Sequence, residues 1–417
     1  MDFTGFILAH AEDDTARLLL DRKKYPGIDV DLAVNTIEAR RRIRTKLPEW
    51  YGHEGIIYPT RLSPEQASSE ETARYKARLF SRTVGKNGRI ADLTGGLGAD
   101  SRAFSAEAEK VLYNEMDPVL AEAARHNFGE LGCRNITVTC HEAVPDGTPP
   151  GGNRATLPEI LGDFSPDMIF MDPARRSGSG KKVFLIEDCR PDVTALLPEV
   201  FGLCRHFLLK LSPMADISMV CSRLPHVREV HVLGSGGECK ELLLLLDREW
   251  TGNPEITVWD SGASFSFSQE MEKAAVPLIS PFPPSEGDLL FEPGKALMKA
   301  GCFSLLSERF NLGKLDPSTH LYICPGTLPE PLPSLGRTYR ILEVAPFGKK
   351  SVRDLGERFK GADVTAKNLP VSSEELRCRL AAAGKNKEKA LPTGKSHIFG
   401  LRCAGKGILL VTERATT

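Results

Sequence analysis

The ten cysteines of this 417-residue chain contain no Cys-x-x-Cys pair, which argues against a zinc ribbon and against a disulfide scaffold. Long apolar runs are also missing. The best, Leu242 to Leu246 and Val183 to Ile186, fall far short of the roughly 20 residues that a membrane span needs. The opening residues Met1 to His10 have neither a basic leading region nor a long apolar stretch, so no secretory signal is expected and a reducing cytoplasm is the expected location. No membrane, metal or covalent nucleophile is expected. Cys189 and Cys204 read as small apolar residues, and His126 and His141 as structural ones.

What is present is the composition of an ordinary globular protein, 41% apolar and 26% charged, on a chain too long for one hydrophobic core. Its net charge of −1 is unevenly spread. From Arg337 onward there are 17 Lys plus Arg against 8 Asp plus Glu, an excess of nine, so the preceding residues carry ten net negative charges. A basic module on an acidic body fits either a polyanion partner such as RNA or a solvated surface.

The chain is expected to divide into four regions. Residues 1–82 read as an N-terminal helical region, with a charged helix over Thr36 to Lys46 and a helix start at Ser63-Pro64-Glu65-Gln66. Residues 83–250 alternate short apolar runs with helical stretches, which predicts an α/β doubly wound, mostly parallel sheet. Its seven strands are Ile90–Leu93, Val111–Asn114, Ile136–Cys140, Met168–Met171, Phe207–Leu211, Val230–Leu233 and Leu242–Leu246. The last two are separated by a segment too short for a crossover and should form an antiparallel hairpin. Residues 251–335 hold a strand-turn-strand (Ile256–Asp260, Phe265–Phe267), a Pro-rich stretch and a helix over Gly294 to Phe310. Residues 336–417 read as a basic α+β module with strands at Tyr339–Val344, Asp363–Ala366, Ile398–Arg402 and Ile408–Val411, and helices at Val352–Phe359 and Ser373–Ala382.

The first predicted strand ends in Asp92-Leu93-Thr94-Gly95-Gly96-Leu97-Gly98, a turn whose glycines let a ligand approach the backbone. A dinucleotide fingerprint needs a third glycine where Ser101 stands. Glu115, 17 residues past Gly98, ends the second strand, where a carboxylate can accept from both ribose hydroxyls. Glu142, just after the third strand, is placed to accept from an adenine amino group, to flank the ring, or to be a surface acid. These features and the terminal hairpin favour S-adenosylmethionine over NAD. Asp92, Thr94, Gly95, Gly96, Gly98, Glu115 and Glu142 are therefore the candidate cofactor residues.

The fourth strand ends in Asp172-Pro173-Ala174-Arg175-Arg176, followed by Ser177 to Lys182. A P-loop is excluded, since Arg175 and Lys182 stand where Gly and Ser or Thr are required. Methyl transfer asks chiefly for alignment of an already activated donor. Asp172 and the Pro173 carbonyl suit an attacking amino group, and Arg175 suits a base or a phosphate. Asp172, Pro173 and Arg175 are the catalytic candidates.

With these residues in place, the sequence resembles a bacterial family of class I methyltransferases with a THUMP-like domain at the carboxyl end. The likeness is carried by Glu65–Glu70 with Thr72–Ala77, by Asp92–Asp100, by Asp172–Arg176, by Phe291-Glu292-Pro293 with Met298–Gly301, and by Thr365–Pro370. The resemblance implies an S-adenosylmethionine enzyme, a ferredoxin-like segment before the tail and a THUMP-like module of the sort that binds structured RNA. The loop also resembles that of rRNA guanine-N2 methyltransferases, which points to a guanine amino group in tRNA or rRNA. Enzymes that methylate exocyclic amines usually carry an Asp or Asn, two prolines and an aromatic residue. Ala174 and Arg175 depart from that pattern, so other atoms stay open as targets. The competing readings are a catalytically silent RNA-binding or assembly protein and a methyltransferase of proteins or small molecules.

Overall fold

The computed structural model describes all residues except 1, 62, 150, 176–185, 187–188, 281–283, 325, 384–395 and 416–417. The chain forms two compact units, residues 1–228 with 242–252 and residues 229–241 with 253–417.

The first unit opens on helices with capped ends. Asp29 accepts from Leu32 N at 3.0 Å ahead of helix α1 (Val30–Ile43). This cap starts the helix six residues before the expected Thr36 and it ends at Ile43. Ser69 Oγ caps the longer α2 (Glu70–Val84) by accepting from Thr72 N, and Gly85 at φ 93° ends it. The face that α2 buries carries Ala73, Lys76, Ala77 and Phe80, a helical i, i+3, i+4, i+7 stripe in which one member is a lysine. Ala39, Ile43, Leu47, Trp50, Ile56 and Tyr58 pack on Leu97, Ala99 and Leu131. The N-terminal region is thereby seated on the Gly-rich turn itself.

All seven expected strands form. In the first unit the order is β7–β5–β4–β1–β2–β3, with β1 Arg89–Asp92, β2 Lys110–Asn114, β3 Ile136–Thr139, β4 Met168–Met171, β5 His206–Leu211 and Leu242–Asp247 of β7 (Glu238–Asp247). Every pairing is parallel except that of β7 with β5. Met168, Ile169, Phe170 and Met171 are all buried, as expected of a strand covered on both faces. Helices α3 (Ala99–Ser105), α4 (Pro118–Glu130) and α5 (Val193–Leu203) make the crossovers. The order reverses between β1 and β4, so their carboxyl ends open a crevice.

In the second unit, Glu229–Ser235 of β6 (Val227–Ser235) and the first residues of β7 flank Gly236-Gly237, both at positive φ, the backbone of a tight hairpin turn. Strands β8 (Glu255–Asp260) and β9 (Ala263–Ser268) pair antiparallel, as expected, and β8 runs parallel to β6. A seven-stranded sheet follows in the order β11–β12–β10–β13–β16–β15–β14, formed by β10 Leu289–Pro293, β11 Gly313–Asp316, β12 Thr319–Cys324, β13 Gly336–Pro346, β14 Asp363–Lys367, β15 Ser396–Cys403 and β16 Lys406–Arg414. Strands from both sides of residue 335 share this sheet, since Leu289–Pro293 pairs with Gly336–Arg340. The helix expected over Gly294 to Phe310 is two helices, Lys295–Ala300 and Phe303–Arg309, divided at Gly301, whose φ of 76° ends the first. Helices α6 (Lys349–Arg358) and α7 (Ser373–Ala383) cover one face through Val352, Leu355, Leu376 and Leu380. No helix among the described residues is long and apolar enough to cross a membrane.

Candidate active site

The Gly-rich turn is shaped by the aromatic residues beneath it. A Cβ at Gly95 would lie 2.1 Å from the Tyr113 ring, and one at Gly98, where φ is 94°, would lie 2.7 Å from Phe128. These two rings meet edge to face at 5.3 Å, and Tyr113 donates its hydroxyl to Gly96 O at 2.5 Å. Gly95 N donates to Asn114 O at 2.8 Å. Asn114, fully buried, donates to the backbone oxygens of Leu93 and His141 and accepts from His141 N, so one amide stitches the ends of β1, β2 and β3.

Glu115 has both oxygens engaged by backbone: Gly96 N donates to Oε2 at 2.8 Å and Asp117 N to Oε1 at 2.9 Å. Asp92, 1% exposed, accepts from Ser101 Oγ at 2.6 Å and from Thr94 N at 3.1 Å. Burial pushes its carboxyl up to about 7, against the pull of the Ser101 hydroxyl. Ser101, which stands where a dinucleotide fold wants glycine, is the residue that fixes this acid.

Asp172 sits across the crevice. Its backbone N donates to Thr94 Oγ1 at 2.5 Å, and its Oδ2 accepts from Lys210 Nζ at 2.6 Å. Burial pushes this carboxyl up as well, and Lys210 opposes the shift. Pro173 is half-buried, and the backbone of Arg175 pairs with Cys189. The Arg175 side chain and Arg176 to Lys182 lie outside the described residues. Glu142 accepts from Arg190 at 2.7 Å and Arg154 at 3.4 Å, and the Arg190 hydrogen bond holds its carboxyl below the usual range.

Four residues here were not expected. Ser68, Lys76, Asp100 and Lys210 form a buried network: Ser68 Oγ donates to Asp100 Oδ2 at 2.7 Å and accepts from Lys76 Nζ at 2.8 Å and Lys210 Nζ at 3.2 Å, and Lys76 pairs with Asp100 at 2.9 Å. Asp100, in the first turn of α3, points to the N-terminal region. Two signals were available in the sequence: a lone lysine inside the apolar run Phe207 to Leu211, and Lys76 on the apolar stripe of α2. Among the described residues no group of His, Cys, Asp and Glu is arranged to hold a metal ion.

Residues 289–330 match the ferredoxin-like domain family and residues 336–414 the THUMP domain-like family. A crystal structure of a Porphyromonas gingivalis W83 protein assigned as a methyltransferase is 30% identical, covers 99% of this chain and is itself covered to 98%, with a TM-score of 0.80. Uncharacterized S-adenosylmethionine-dependent methyltransferases of Mycobacterium tuberculosis, strains CDC 1551 / Oshkosh and ATCC 25618 / H37Rv, are 25% identical over 362 residues, 84% of this chain and 89% of theirs. The chain belongs to this family of S-adenosylmethionine-dependent methyltransferases, and it carries a THUMP-like domain at its carboxyl end.

Proposed function

We propose that the chain transfers the methyl group of S-adenosylmethionine to structured RNA, tRNA or rRNA, with a guanine amino group as the favoured acceptor. The observation that carries the reading is the composition of the crevice between β1 and β4. Three acids, Asp92, Glu115 and Asp172, gather at the carboxyl ends of β1, β2 and β4, while the ammonium groups of Lys76 and Lys210 are paired with acids. Such a lining suits a cationic donor with ribose hydroxyls and repels a pyrophosphate. A Cβ at Gly96 would meet only Thr94 O, at 4.0 Å, so the loop leaves space beside its backbone.

In this site S-adenosylmethionine supplies a methyl group already activated on a sulfonium sulfur. Asp92, Thr94, Gly95, Gly96, Gly98 and Glu115 hold the donor, with Glu115 accepting from the ribose, and Glu142 flanks the adenine. Asp172 and the Pro173 carbonyl accept hydrogen bonds from the attacking amine and turn its lone pair toward the methyl carbon. Arg175 binds the base or a phosphate. The basic C-terminal module supplies the RNA affinity, as its surplus of nine positive charges and its THUMP-like match suggest.

The test is incubation with methyl-labelled donor and total RNA from a strain lacking the gene, with modified nucleosides compared by mass spectrometry. Label in RNA supports the reading; label in protein alone overturns the acceptor. Failure to bind S-adenosylmethionine or its demethylated product in calorimetry favours a silent RNA-binding protein. Replacing the exposed Lys349, Lys350 and Arg353 by Gln should weaken RNA binding and flatten its salt dependence, by up to about 0.7–0.9 in log–log slope for each phosphate that is no longer neutralised.

A further inference from the structure

We propose that Lys210 is a positioning residue for Asp172, and that Ser68 and Lys76 of the N-terminal region hold Lys210 in that role. The inference rests on the reading of Asp172 as the carboxylate that faces the acceptor, and it gives a role to Ser68 and Lys76, which lie in the segments Glu65–Glu70 and Thr72–Ala77, and to Lys210, which lies in none of the quoted motifs.

Lys210 belongs to β5, a strand otherwise apolar from Phe207 to Leu211, and only 10% of its side chain is exposed. An ammonium buried at the end of a core strand costs desolvation that a methionine of similar shape avoids, so its presence calls for a role other than packing. It donates to Asp172 Oδ2 at 2.6 Å and to Ser68 Oγ at 3.2 Å. Asp172 is thus anchored at two points, its N–H on Thr94 Oγ1 and its carboxylate on Lys210. Two anchors leave the peptide and the carboxylate little freedom, which is what alignment of an acceptor requires.

Ser68 is the hub. A hydroxyl has one proton to give and two lone pairs to accept with. Ser68 uses all three, donating to Asp100 and accepting from Lys76 and Lys210. Lys76, fully buried on α2, closes the ring through Asp100 on α3. The N-terminal region therefore contributes two of the residues that set the geometry at the end of β4, Ser68 from the loop before α2 and Lys76 from α2 itself. Among the described residues, the charged groups facing Asp172 are Lys210 from β5, Lys76 from α2, Asp100 from α3 and Asp92 from β1. Of these, the two lysines favour its charged form and the two acids oppose it. Removing Lys210 leaves the acids dominant, so the Asp172 proton binds more tightly and a higher pH is needed to ionise it.

The experiment uses the full-length protein with Lys210→Met, Lys210→Arg and Ser68→Ala. Titration of Asp172 is followed by carbon-13 NMR of aspartate-labelled protein, its resonance identified by its loss in Asp172→Asn. In Lys210→Met the midpoint should rise by about one pH unit or more, and in Lys210→Arg stay near its original value. Ser68→Ala keeps both charges and should give a smaller rise, which keeps the proposal testable if Lys210→Met does not fold. In RNA methylation, kcat should fall about tenfold or more in Lys210→Met with the acid limb of its pH profile moved upward. The dissociation constant for S-adenosylhomocysteine should change less than about threefold. An Asp172 titration unchanged in Lys210→Met and Ser68→Ala overturns the proposal, as does an equal loss of kcat in Lys210→Met and Lys210→Arg with no shift of the limb. If the wild-type protein methylates no RNA, the functional reading fails, while the carboxyl titration still judges the pairing.

Discussion

The two ends of β5 treat buried charge in opposite ways. At the amino end, Asp247, facing His206 across the antiparallel pair, is gripped by Arg205 through two hydrogen bonds of 2.8 and 2.9 Å and approached by Arg228 at 3.3 Å. The Arg205 hydrogen bond pulls its carboxyl down to about 2. Both guanidiniums reach solvent, at 44% and 40% exposure, so the pair escapes most of the cost of burial. At the carboxyl end, Asp92 and Asp172 are raised, and the lysines beside them are buried. An ion pair that serves stability lowers the pKa of its acid; acids raised together beside buried lysines mark a place where charge is kept for a purpose other than holding the fold.

That contrast breaks first under Asp172→Ala. It should lower kcat about a thousandfold while affinity for S-adenosylhomocysteine changes little, as measured by single-turnover methylation and calorimetry; a proportionate loss of both would make Asp172 a donor ligand. Next in size is Glu115→Ala, which removes the acceptor proposed for the ribose hydroxyls and should weaken S-adenosylhomocysteine binding about a hundredfold, near 2.7 kcal/mol.

The remaining effects concern stability and carry opposite signs at the two ends. A depressed carboxyl contributes stability above its unfolded pKa, and that contribution is lost as pH falls from about 4 through 2. Asp247→Asn should therefore lower the stability of the full chain by on the order of 2 kcal/mol at neutral pH, with the deficit vanishing near pH 2, read by urea unfolding. A raised carboxyl binds its proton more tightly when folded, so ionising it costs stability as pH rises from about 4 through 7. Asp92→Asn should remove that cost and stabilise the protein by on the order of 1 kcal/mol at pH 8, with the amide oxygen accepting from Thr94 N and the amide NH2 donating to Ser101 Oγ. Equal signs for the two variants would dissolve the distinction between the ends of the sheet.

The strands of the first sheet were legible because each is an apolar run between turn residues, and the Gly-rich loop because its residues are contiguous. The places of Glu115 and Asp172, just past the ends of β2 and β4, were legible because strand ends in a parallel sheet gather at one edge. The buried network was not, since Ser68 lies 32 residues from Asp100 and 142 from Lys210, and only folding brings them together. Strands β11 and β12 went unread for a local reason. Lys314 and Asp316 interrupt the apolar pattern of β11, yet both are buried, with Lys314 Nζ donating to Pro317 O at 2.6 Å. Glu142 reads from its position as an adenine ligand, and no spacing in the chain announces Arg154 and Arg190 as its partners.

The hydrogen bond from Asp172 N to Thr94 Oγ1 joins the loop assigned to the donor with the loop assigned to the acceptor. A ligand that stills one loop reduces the entropy still to be lost when the other is ordered. Donor and RNA are then expected to bind with positive cooperativity. Because coupling free energies are reciprocal, S-adenosylhomocysteine should tighten RNA by the same factor by which RNA tightens S-adenosylhomocysteine, and Thr94→Val should bring that factor toward one.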